Sequence, residues 1–182
     1  MDTRDAGVGD DPGPLEILMS LLRPEAVLSK IVTGGGEWGV RKPRYGDPAF
    51  WLMLQGSCVL EPNGLDAIEL RHGDFLLFPE TPGFTLGASR DVEATDAALD
   101  HSRHTRHGSK TEPVTMRMLG GYFRFDPANA PLVVSLLPRV VLVRHNEPGS
   151  GRLSRIVELI ADEADTASAC RDVILQRLVE VC

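Results

Sequence analysis

Basic residues are in short supply: 19 Lys and Arg face 26 Asp and Glu across 182 residues, a formal net charge of -7. Binding to a phosphate backbone depends on clustered cations that displace counterions, so this acidic segment is not expected to contact DNA itself. Cysteine is scarce as well. Cys58, Cys170 and Cys182 lie far apart, which suits neither a disulfide framework nor a paired-cysteine metal site, and they read as reduced thiols. No apolar run approaches the roughly 18 residues needed to span a membrane as a helix. Residues 1–13 are acidic and glycine-rich, without the positive flank and apolar core of a secretory signal, and read as a disordered tail on a cytoplasmic protein. No Gly-x-Ser-x-Gly context marks a serine nucleophile, which argues against that class of enzyme.

What the chain does have is β texture. Between Val27 and Phe78, short β-rich runs alternate with turn signals, of which Asn63-Gly64 is the most specific because a tight hairpin needs positive φ at its centre. Strands near 57–61 and 65–70 are expected to pair across it. Strand texture returns at 116–119, 121–125 and 140–143, giving a mainly β domain over residues 14–147. Two other patterns flank it. Pro14 opens a short amphipathic stretch with Leu15, Leu18, Met19 and Leu22 on one helical face. After Gly151, Leu153, Ile156, Val157, Ile160 and Ala164 form a helical stripe, and a second stripe carries Ile174, Leu178 and Cys182 without a stop signal. Residues 148–182 thus read as two linker or dimerisation helices, and the missing stop signal reads as a truncation. Residues 87–113 are polar, contain His101, His104 and His107, and read as a long mobile loop.

The segment from Phe50 to Leu60, followed by Leu70 through Pro79 with its Gly73-Asp74 turn and four apolar residues, resembles the N-terminal cupin domain of AraC-type transcription regulators. Glu37 to Arg41, Gly121 to Asp126 and Leu136-Leu137-Pro138 extend the likeness over most of the chain. The resemblance implies a cupin-like, jelly-roll antiparallel β-barrel with a short N-terminal helix and two C-terminal helices. It further implies a small-molecule effector, a homodimer, and promoter DNA contacted only through a helix-turn-helix domain expected after Cys182. The alternatives are a small cupin enzyme, an isomerase or dioxygenase, and a stand-alone small-molecule-binding cupin.

Metal-dependent cupins gather three His and one carboxylate inside the barrel. Counting from Gly64 and Gly73 places those positions here at Trp51, Met53, Ser57 and Phe84, none of which is a hard metal ligand. No metal and no cofactor are therefore expected at that site, and no enzymatic activity. Trp51, Met53 and Phe84 suit either a packed core or an apolar ligand pocket, with Trp38, Arg41 and Tyr45 expected near its entrance. A zinc site at His101, His104 and His107 is disfavoured, since a polar loop lacks the surrounding groups that orient ligands. Cys58 falls within a strand and reads as a small buried residue. Ile156, Ile160, Ile174 and Leu178 supply the expected dimer seam.

Overall fold

A computed structural model describes residues 25–98, 102, 104–124, 134–135 and 137–145. The expected tail, the N-terminal helix and the two C-terminal helices, with Ile156, Ile160, Ile174 and Leu178, lie outside the described residues. Within them the chain is mainly β. Eleven strands run in order: β1 (Glu25–Gly35), β2 (Gly39–Lys42), β3 (Ala49–Gln55), β4 (Ser57–Pro62), β5 (Ile68–Arg71), β6 (Phe75–Phe78), β7 (Phe84–Gly87), β8 (Thr95–Asp96), β9 (His104–Gly108), β10 (Met116–Arg124) and β11 (Val141–Val143).

They form two sheets rather than the expected closed barrel. One has six strands in the order β11-β6-β3-β10-β1-β9, the other five in the order β5-β4-β7-β2-β8. Closure would require edge strands long enough to hydrogen-bond across both sheets. Here β8 has only two residues and β5 only four, so among the described residues the sheets meet through side chains.

Their shared core follows the period-two alternation of strands. On β3, Ala49, Trp51 and Met53 belong to the cluster between the sheets, together with Met118 on β10, Val32 on β1, Leu76 and Phe78 on β6, and Phe84 and Leu86 on β7. The intervening Phe50, Leu52 and Leu54 are buried too but fall outside that cluster. That is why β3 reads as one continuous apolar run.

Three expectations change. The Asn63-Gly64 turn exists, with Gly64 at φ +77°, but the ladder closes at Leu60 opposite Ile68, so the second strand begins three residues later than expected. The cause is the other neighbour of β4. Pro62 pairs with Phe84 on β7 and the Asn63 amide donates to the Gly83 carbonyl at 2.8 Å, which carries the chain toward β7 before it turns back. The polar segment 87–113 is not loop throughout. It contributes β8, parallel to β2, and β9, parallel to β1. Arg106 on β9 donates to the carbonyls of Ser109 and Glu112, so this strand is held by backbone and side-chain hydrogen bonds instead of apolar burial. Finally, β10 runs unbroken through Gly120 and Gly121, where two separate strand pieces were expected.

The Gly73-Asp74 turn has a structural task. Gly73 sits at φ +82°, and a Cβ there would meet the His145 ring at 2.5 Å. Asp74 is buried. Its carboxylate accepts from the Arg144 guanidinium at 2.6 Å, the Arg71 amide at 3.0 Å and the His145 amide at 3.2 Å. The turn between β5 and β6 is thereby fastened to the end of β11.

Candidate ligand-binding site

Trp51 stands at the centre of the inter-sheet cluster. Its indole meets Phe78 and Phe84 edge-on, with ring centroids 5.5 and 5.4 Å apart, an arrangement aromatic quadrupoles favour. Met53 lies two residues along the same face, fully buried, and its Sδ is 3.7 Å from the Cys58 Sγ. The structure thus brings together three of the four expected metal-ligand positions. The fourth is corrected: Ser57 is exposed at the start of β4, and its neighbour Cys58 faces the core. An offset of one residue in a strand exchanges the two faces, which is the physical reason the count from Gly64 missed. Burial pushes the Cys58 thiol up to about 12, so it stays protonated and unreactive near neutral pH. Among the described residues no three His, Cys, Asp or Glu side chains are grouped so as to hold a metal ion.

The expected entrance residues separate. Trp38 is buried in the same cluster, stacked on His107 of β9 at 5.3 Å, and among the described residues its Nε1 has no hydrogen-bond partner. Tyr45 packs against the cluster from the β2–β3 loop. Burial pushes its hydroxyl up to about 12, opposed by a hydrogen bond with Thr81, so a neutral phenol faces the core. Arg41 turns away. It is exposed and pairs with Asp96 of β8 at 2.9 Å, so it is not brought together with Trp51, Met53 and Phe84.

Away from the cluster, His72 and His145 face each other with ring centroids 5.9 Å apart, and His72 Nδ1 lies 2.8 Å from the Leu54 carbonyl. They line a surface cavity of about 340 Å³ with Glu69, Arg71, Asp74 and Arg144. The Arg71 guanidinium holds the Glu69 carboxyl below its ordinary value by hydrogen bonding and charge. A second cleft of about 510 Å³ opens between Arg44, Pro82 and Arg139.

Comparison with known proteins places the chain. The family model described as cupin matches residues 13–182, and the chain belongs to that family. It is 29% identical over 140 residues to proteins described as AraC-like transcription regulators from Streptomyces lividans and Streptomyces antibioticus. The alignment covers 74% of this chain and 45% of each relative, so the chain spans about half the length of the curated relatives it matches. The chain is thus a cupin-type domain similar to the N-terminal domain of AraC-type regulators. Among solved structures it is similar to apo ToxT K231A from Vibrio cholerae, with 10% identity, a TM-score of 0.42 and coverage of 85% of this chain and 53% of that one. Wild-type ToxT bound to an unsaturated fatty acid gives a TM-score of 0.42 at 10% identity, with coverage of 87% and 51%.

Proposed function

We propose that this chain is the effector-sensing and dimerising part of a cytoplasmic AraC-type transcription regulator, acting without catalysis and reaching promoter DNA through a separate domain. The observation that carries this reading is the interior of a cupin in which Trp51, Met53, Cys58 and Phe84 stand where a metal centre would be built. An apolar interior with a few polar groups suits reversible binding of a small organic molecule. Such binding alters transcription only if the effector prefers one arrangement of the regulator over another. Trp51, Met53, Phe84, Trp38 and Tyr45 are the residues proposed to meet it, and Arg41 is set aside because it turns outward.

Dimerisation is assigned to the C-terminal stripes, with Ile156, Ile160, Ile174 and Leu178 of each copy meeting their equivalents across a two-fold axis. Paired half-sites on DNA call for that symmetry. Ile174→Glu with Leu178→Glu is expected to convert a dimer into a monomer, since unpaired charge in an apolar seam costs several kcal/mol, on the order of 2–7 for a buried polar group without partners. Sedimentation at about tens of micromolar reads the result, since dimerisation follows mass action. A monomeric wild type, or a double variant that dimerises undiminished, removes these residues from the interface.

A further inference from the structure

The cavity at the β5–β6 corner is an island of positive charge on a chain whose formal net charge is -7. Arg71 and Arg144 converge there on one residue. Arg71 forks onto the Glu69 carboxylate at 3.1 and 3.2 Å, and Arg144 donates to the Glu69 main-chain carbonyl at 2.7 Å. Arg71 first, then Arg144 and Arg90, hold the Glu69 carboxyl below its ordinary value, so three guanidiniums lie within electrostatic reach of it. The other carboxylate, Asp74, is buried and held by its three donors. Three guanidiniums against two carboxylates leave positive charge in excess before either imidazole is counted. Donors are left over too. Among the described residues neither Arg71 Nη1 nor Arg144 Nη2 has a hydrogen-bond partner. The Leu54 carbonyl can only accept, so the His72 Nδ1 at 2.8 Å carries the hydrogen and Nε2 is the ring nitrogen left for a ligand.

We infer that this cavity binds a small phosphate-class anion, either free phosphate or the phosphate group of a small ester, held by Arg71 and His72 on the corner and Arg144 at the end of β11. Its volume of about 340 Å³ falls within the range of small-ligand pockets, about 300–1,000 Å³. Donors supplied by two separate elements suit a tetrahedral group with several oxygens better than a planar carboxylate, which a single guanidinium fork satisfies. Phosphate also suits His72 in both of its states, because it carries a proton part of the time near neutral pH: a P–OH donates to the neutral Nε2, and a P–O⁻ accepts from the protonated one. Binding there fastens the corner to β11, the last described strand before residues 146–182, to which the dimer seam is assigned. The Trp51 cluster takes no part, so this site stands apart from the interior one.

Calorimetric titration of the full chain with inorganic phosphate and with glycerol 3-phosphate, beside acetate at matched ionic strength, tests the assignment. Phosphate or its ester is expected to bind saturably at one site per chain, and acetate is not. Tighter binding of glycerol 3-phosphate makes an ester the occupant, tighter binding of phosphate makes it the free anion, and either supports the site. Arg71→Gln and His72→Asn, the latter keeping a donor for the Leu54 carbonyl, are each expected to weaken binding by about tenfold or more, the loss of one charge-assisted hydrogen bond. Both positions are exposed, so both variants are expected to melt near the parent temperature. Arg41→Gln removes an exposed cation elsewhere and is expected to leave the affinity unchanged. Amide exchange at Val141 to Val143 is expected to slow when the site fills. Phosphate and ester binding no tighter than acetate, indifference to Arg71→Gln and His72→Asn, or an equal loss in Arg41→Gln overturns the site. Saturable binding that leaves exchange in β11 unchanged overturns the link to that strand.

Discussion

Replacing Asp74 with alanine is expected to cost the domain about 2–4 kcal/mol, on the scale of breaking a buried ion pair from one side. The carboxylate is buried while Arg144 remains partly solvated, its side chain 37% exposed, which places the loss in the lower part of that range. Three donors lose their acceptor at once: the Arg144 guanidinium and the amides of Arg71 and His145. The effect reaches beyond the turn, because Asp74 is what fastens the β5–β6 corner to the end of β11. Asp74→Asn is expected to lose less, since one oxygen can still accept from an amide. Arg144→Ala is expected to lose less again, since the aspartate keeps both amide donors. Urea unfolding with an unchanged slope measures all three. A loss below about 1 kcal/mol for Asp74→Ala would mean that the β6–β11 ladder and the Arg144–Glu69 hydrogen bond hold the two elements without it.

Trp51→Ala is expected to be the most damaging single change in the core, at about 3–5 kcal/mol, because it removes the ring on which Phe78 and Phe84 pack and leaves a cavity between the sheets. The cavity itself supplies a control. Apolar voids of this kind stay dry and accept small apolar molecules, so added indole is expected to raise the melting temperature of Trp51→Ala by mass action and to leave the wild type unmoved. Trp51→Phe is expected to retain most of the stability while losing the indole N–H. These variants separate packing from recognition at one position. If Trp51→Ala unfolds within about 1 kcal/mol of wild type, the ring is not the keystone of the inter-sheet core.

How far the sequence revealed this arrangement can be judged residue by residue. The Gly73-Asp74 turn and the apolar strand after it were legible, because a positive φ and a run of buried residues each leave a local mark. So was the interior placement of Trp51, Met53 and Phe84, which needs only the alternation within a strand. What depended on pairing between distant segments was not legible. The binding of Asp74 by Arg144 joins residues 70 positions apart, and no local pattern announces it. β9 escaped notice for another reason: its sequence, His104 to Gly108, lacks the apolar alternation that marks strands, and its place comes from a parallel ladder to β1. Ser57 was assigned to the interior in place of Cys58 because the turn at Gly56 between β3 and β4 switches which alternate positions face the core.

The central claim is that the interior of this cupin holds an organic molecule in place of a metal. Native mass spectrometry of the chain, purified without denaturant or chelator, tests it most directly. The account predicts one organic adduct of constant mass per chain. A chain carrying one transition-metal ion, lost when Met53 or Cys58 is replaced, would contradict it.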